Sequence, residues 1–290
     1  MKPAPFEYLA PRTVPEAVSL LARHGEEAKL LAGGQSLVPL MNMRLARPRR
    51  VIDLNRTQGL AYIREVNGAL RIGGMTRQAT LERSPVIGGR CPLLPEALAL
   101  VGHPAIRSRG TIGGSLAHAD PAAELPAAIA ALDGQITATG PRGERTLPAT
   151  SFFLGVLTTA LAPDEVLTEI ALPALPPRTG TCFLEVARRH GDFALVGVAV
   201  VVSRRSDGAC GHARLVFCGV GPTPVRVARA EALVSGRRPD AAVFAAVEGL
   251  VRETLQPDGD LHASADYRRE VAGVVARRAL TTAWSRTNHG

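Results

Sequence analysis

The run Gly110-Thr-Ile-Gly-Gly-Ser-Leu-Ala-His-Ala-Asp-Pro-Ala-Ala-Glu-Leu-Pro126 decides how the rest of this chain is read. Upstream stands a shorter counterpart, Leu31-Ala-Gly-Gly-Gln-Ser-Leu37. Each segment lies between apolar runs and carries a Gly-Gly pair with a serine close behind, Ser36 in one and Ser115 in the other. Without Cβ atoms such a backbone bends sharply and aims several N–H groups at one anion. A single Gly-Gly pair also serves ordinary tight turns, but two in matching context point to a diphosphate gripped from both sides. Backbone amides and two hydroxyls supply the convergent donors without a lysine. No G-x-G-x-x-G follows the first strand, so the Rossmann way of holding a dinucleotide is absent.

Outward from these segments the pattern is mixed helix and strand. Thr13-Val-Pro-Glu16 has capping-box spacing and opens a helix that Gly25 ends. A buried strand at 28–32 runs into Gly33-Gly34, and Ser36 is placed to cap a second helix with Pro39 in its first turn. Residues 50–54 read as a strand and 55–59 as a linker. A second unit holds strands near 69–73, 135–139 and 165–172, with helices from Thr76, over 94–101 and over 122–132. The proline-rich stretch 173–177 marks the next boundary. Beyond it, β-rich runs at 181–187, 193–203 and 213–220 precede helical spacing at 229–235, 240–254 and 266–285, which predicts a three-stranded sheet covered by helices. The fold class is α+β, with units at 1–57, 58–175 and 177–288.

Composition removes several functional classes. The 290 residues carry a net charge of +8, but the excess divides as +4, −1 and +5 over residues 1–57, 58–175 and 176–290, and aromatics are only 4%. That is a weak footprint for a nucleic-acid binder, and none is expected. Only Lys2 and Lys29 among the 34 basic residues are lysine, which disfavours a Walker loop or a Schiff-base enzyme. Cys91, Cys182, Cys210 and Cys218 are scattered, with no C-x-x-C pair, so neither zinc nor an iron–sulfur cluster is expected in this chain. His118 and Asp120 form an H-x-D pair with no third ligand nearby and read as structural. No apolar run approaches a membrane span and no secretory pattern opens the chain, so the expected location is cytoplasmic.

The two glycine segments, with Arg44-Leu-Ala-Arg-Pro48 and Val51-Ile-Asp-Leu-Asn55, closely resemble the FAD-binding medium subunit of molybdenum hydroxylases of the carbon monoxide dehydrogenase and xanthine dehydrogenase type. Phe183-Leu-Glu-Val-Ala-Arg-Arg-His-Gly-Asp-Phe-Ala194, Asp266-Tyr-Arg-Arg269 and Arg277-Arg-Ala-Leu280 resemble that family's C-terminal domain. The resemblance implies a two-lobed FAD-binding domain of the vanillyl-alcohol-oxidase type, followed by a C-terminal α+β domain. It implies FAD in this chain, with molybdopterin and [2Fe–2S] clusters on a large and a small partner chain, assembled as a dimer of heterotrimers. Electrons then pass through FAD to an external acceptor. The cofactor-binding set it implies is Ala32, Gly33, Gly34, Gln35, Ser36, Thr111, Ile112, Gly113, Gly114, Ser115, Glu124, Leu167, Asp192 and Phe193. No residue is assigned to C–H bond breaking and none to a metal. Glu124 stands where many relatives have aspartate. Glu185 and Leu184 stand where the family often has lysine. The alternative is a stand-alone flavin oxidoreductase with its own substrate pocket.

Overall fold

The computed structural model describes residues 1–288 and is 3 sheets with a small hairpin, packed among helices. The strands Glu7–Leu9, Arg50–Asp53 and Ala28–Leu31 form a parallel sheet in that order. The helix Val14–His24 packs beside it, its N-terminus capped by Thr13 Oγ1, which accepts from the Glu16 amide. A second, antiparallel sheet orders Ile63–Val66, Ala69–Gly73, Val166–Leu172, Gln135–Gly140 and Gly143–Pro148. Between its second and third strands in sequence come six short helices, from Gln78–Arg83 to Glu124–Ala131.

The third sheet orders Thr179–Val186, Val196–Arg204, Cys210–Cys218 and Val225–Arg226, all antiparallel. Three strands are predicted from sequence. The fourth is a two-residue edge strand, too short to leave a periodic signal. The strand Val196–Arg204 is buried in eight of its nine positions because both faces of the sheet are covered. Val196, Val198, Val200 and Val202 face the helices Ala241–Thr254 and Ala265–Arg286, while Ala199 and Val201 face the core that contains the helix Glu124–Ala131. That helix is buried at every position, consistent with its lack of a polar face. It thereby fastens the N-terminal part of the chain to the C-terminal part.

Two local expectations change. Gly113 and Gly114 are not a bend: they lie inside the helix Ile112–His118, whose N-cap is Thr111. Of the two pairs only Gly34 has the left-handed backbone, at φ +75°. Phe193 precedes its strand and stands in a loop, 70% exposed. No helix among the described residues is long and apolar enough to cross a membrane.

Candidate functional site

The two glycine segments meet. A Cβ on Gly33 would lie 2.5 Å from the Arg109 carbonyl oxygen and 2.7 Å from Gly110 Cα, and one on Gly114 would lie 3.3 Å from Ala32 Cβ. Arg77 ties the junction from outside, donating to the Arg109 carbonyl and, at 2.5 Å, to Asn55 Oδ1. Glycine at 33 is therefore demanded by contact between two backbones, whatever ligand lies beside them. Gly113 follows the same rule: a Cβ there would stand 2.5 Å from the Gly74 carbonyl, which accepts the Gly113 amide.

Beside this junction opens a cavity of about 630 Å³, within the roughly 300–1,000 Å³ usual for small-molecule sites. Of the fourteen residues the resemblance assigns to the cofactor, thirteen line it: Ala32, Gly33, Gly34, Gln35, Ser36, Thr111, Gly113, Gly114, Ser115, Glu124, Leu167, Asp192 and Phe193. Ile112 does not. Its side chain is fully buried in the core and its amide donates to the Thr76 carbonyl, so the structure removes it from the cavity wall. A second cavity of about 430 Å³ adjoins the same loop and shares Ala32 to Gln35 with the first.

The donors are unequally divided between the segments. In the helical segment Gly113 bonds Gly74, Gly114 bonds Thr111 Oγ1 and Ser115 bonds the Thr111 carbonyl, leaving few amides for a ligand. In the loop, the amides of residues 33–37 donate to no protein group among the described residues. Ser36 occupies the N-cap position of the helix Leu37–Asn42 but makes no capping hydrogen bond, so its hydroxyl also remains available at the cavity wall. Orphan amides are costly to bury without an acceptor. Five in succession at a glycine turn suit an anion. The residues present therefore fit a dinucleotide diphosphate.

The polar groups around the wall differ in charge state. Glu124 is 7% exposed, and burial, with a smaller contribution from Asp120, pushes its carboxyl up to about 7. Asp192 is held below the usual carboxylate range by hydrogen bonding to Arg189 and by Arg188. His118 and Asp120 line the cavity, and no group of three metal-ligating side chains occurs among the described residues. All four cysteines are buried and free.

Sequence reasoning missed a third pair, Gly73-Gly74, at the end of the strand Ala69–Gly73. A Cβ on Gly74 would stand 2.5 Å from the Leu167 carbonyl, and Gly74 lines the cavity with Met75 and Gln78. An apolar strand running into Gly-Gly is the signal that marked residues 31–34, and it was present here too. The apolar residues Leu157 and Leu161 also line the wall but carried no signal of their own.

Comparison with known proteins agrees with this geometry. Residues 4–175 match the family described as FAD binding domain in molybdopterin dehydrogenase, and residues 181–283 match the CO dehydrogenase flavoprotein C-terminal domain. The chain is 43% identical to the 6-hydroxypseudooxynicotine dehydrogenase complex subunit alpha of Paenarthrobacter nicotinovorans, over 99% of this chain and 97% of that one. It is 42% identical to the carbon monoxide dehydrogenase medium chain of Hydrogenophaga pseudoflava, over 99% of both. Among solved structures, a chain of carbon monoxide dehydrogenase from Hydrogenophaga pseudoflava, in a form lacking the Mo-pyranopterin moiety of the molybdenum cofactor, superposes with a TM-score of 0.96 at 43% identity, covering 99% of each chain. This chain belongs to the family of FAD-binding medium subunits of molybdenum hydroxylases.

Proposed function

We propose that this chain is the flavoprotein subunit of a multi-subunit molybdenum-dependent hydroxylase, and that it passes electrons taken from [2Fe–2S] clusters on a partner to an external acceptor. The observation that carries the reading is the row of unengaged amides at 33–37, all in residues that line the 630 Å³ cavity. In this reading Gly33, Gly34, Gln35 and Ser36 hold the diphosphate. Thr111, Gly113, Gly114 and Ser115 close the opposite wall, and Ala32 on the loop side meets Gly114 at a distance only small side chains allow. Glu124 meets the adenosine side, and Leu167, Asp192 and Phe193 border the ring. FAD when bound supplies the two-electron and one-electron chemistry, while the chain holds it, shields it and sets its electrostatics.

The iron–sulfur and molybdopterin centres belong, in this reading, on a small and a large partner chain in a dimer of heterotrimers, which the four scattered cysteines without a C-x-x-C pair support for the clusters. Residues 1–57 and 58–175 are read as the two lobes of the FAD-binding domain and 177–288 as the C-terminal domain, acting in the cytoplasm. The test is to express the chain alone and with the two partner chains, then add oxidisable substrate without oxygen. The flavin bleaches only in the assembled complex on this account. Bleaching by a small substrate in the isolated chain identifies a stand-alone oxidoreductase instead.

A further inference from the structure

Behind Glu124 on the cavity wall, a row of three residues on the third sheet lies outside the binding set. Glu185, Gly197 and Cys218 are paired in register across three strands of the third sheet. They lie on the face that carries Phe183, Ala199 and Val216 toward the buried helix Glu124–Ala131. Gly197 leaves a notch in this row. A Cβ there would stand 2.6 Å from Cys218 Sγ and 3.5 Å from Glu185 Cβ. Glu124 opens the helix that covers this face, is itself more than nine-tenths buried, and takes no hydrogen bond from any other of the described residues. Glu185 Oε2 is buried with no hydrogen-bond partner. Neither carboxyl has an arginine or lysine within ion-pair distance among the described residues.

We propose that Glu124 and Glu185 form one proton-carrying carboxyl pair across the seam between the two halves of the chain, and that filling the cavity with an anionic dinucleotide is coupled to proton uptake by this pair. The proposal rests on the FAD reading above. Two buried carboxyls facing one another across a packed seam, with no cation within ion-pair distance of either, do not both ionise readily, and an anion arriving in the cavity favours the protonated form further. Burial pushes Glu185 up to about 8, with Glu124 adding to the effect, and Cys218 is raised by burial and by both glutamates. The remaining titratable groups around the pair are otherwise engaged or stand on the cavity wall. Asp120 precedes the helix. Glu165 is held by Arg145 and Asp192 by Arg188 and Arg189, while Glu96, on the helix Leu93–Leu98, pairs with Arg286 and the Phe183 amide. Lys29 and His118 complete the set on the wall. The proton comes from solvent, and no bond other than the carboxyl O–H is made.

The experiment is calorimetric titration of the full chain, stripped of flavin, with FAD at several pH values from about 6 to 9. Two buffers of different ionisation enthalpy give the protons exchanged per FAD bound. The wild type takes up at most about one proton near pH 8, and its Kd rises with pH by up to about tenfold per unit. In Glu185→Gln the uptake falls by at least half. Glu124→Gln provides the same reading should the first variant not fold. Wild-type binding with no proton uptake overturns the proposal, as does uptake unchanged in both variants or lost instead with His118→Gln. Absence of FAD binding at every pH overturns the FAD reading rather than this one.

Discussion

Replacing Gly33 by alanine tests whether contact between the two glycine segments builds the site. The added methyl would meet only backbone: the Arg109 carbonyl oxygen at 2.5 Å, Gly110 Cα at 2.7 Å and the Arg109 carbonyl carbon at 3.0 Å. None of these is a flexible side chain that can swing aside. Gly33 is not in the left-handed region, so the cost is steric and not conformational. Overpacking of this kind costs about 1–3 kcal/mol, and the reduced freedom of the unfolded chain returns about 0.4–1 kcal/mol. A net loss of about 1–2 kcal/mol lowers the melting temperature by about 2–4 °C at this chain size. The strain is relieved by moving the 33–37 loop off the helix Ile112–His118, so FAD affinity falls by about tenfold, the equivalent of about 1.4 kcal/mol. Gly249→Ala is the control. It lies inside the helix Ala241–Thr254 with open space where its methyl would go, and gains about 0.5–1 kcal/mol in helix propensity. Melting curves and fluorescence titration with FAD check both variants. A Gly33→Ala chain that melts within about 1 °C of wild type and binds FAD with unchanged affinity refutes the reasoning.

Arg268 is almost fully buried and donates to the carbonyls of Leu195 and Gly219, while the Gly219 amide donates to the Pro121 carbonyl beside the cavity. Arg268→Ala leaves those carbonyls without their charged donor, which costs about 3 kcal/mol in melting experiments, and Arg268→Lys restores part of it. The pH dependence of stability has a definite sign. Glu124 at about 7 and Glu185 at about 8 lie above their usual value of 4.5. Their contribution is present in full below that value and is lost as pH rises through the folded values, so the flavin-free chain melts at progressively lower temperature up to about pH 8, and Glu185→Gln flattens the upper part of that fall. Phe193 is 70% exposed, so Phe193→Ala changes stability by no more than about 0.5 kcal/mol. Its effect is on the absorption and fluorescence of bound flavin, and unaltered spectra place the ring away from this loop.

Most of the architecture was legible because it follows from periodicity and punctuation. The helix Val14–His24 begins at its threonine cap and ends before Gly25, and the helices Ala241–Thr254 and Ala265–Arg286 start within one residue of where the helical spacing begins, behind caps at Asp240 and Ser264. Elements of two to six residues were less legible. The strand Ile63–Val66, the helix Pro85–Arg90 and the hairpin pairing Phe153–Gly155 with Thr158–Thr159 are too short for a period to emerge. The site residues were found through the glycine pairs, but the reason for those glycines was only partly visible. Gly33, Gly74 and Gly113 are fixed by backbone lying against them from segments distant in sequence, and no local pattern reports such a neighbour. For the same reason Gly113-Gly114 reads as a bend and proves to be helix: Thr111 capping Gly114 and the carbonyls of Thr76 and Gly74 take up the first amides, which makes the helix start favourable despite two glycines.

The role of Glu124–Ala131 shows how fold and site are joined. Packing this apolar helix against the third sheet fixes the angle between the two halves of the chain, and its first residue is one of the acidic groups on the cavity wall. A change in that packing is therefore felt at the cavity, and the C-terminal half acts as part of the site even where it contributes few lining residues.

The most direct test of the central claim is an experimental structure of this chain with FAD bound. On this account the diphosphate oxygens lie within hydrogen-bond distance of the amides of residues 33–37, with the ring toward Asp192 and Phe193. A diphosphate that none of those five amides reaches contradicts it.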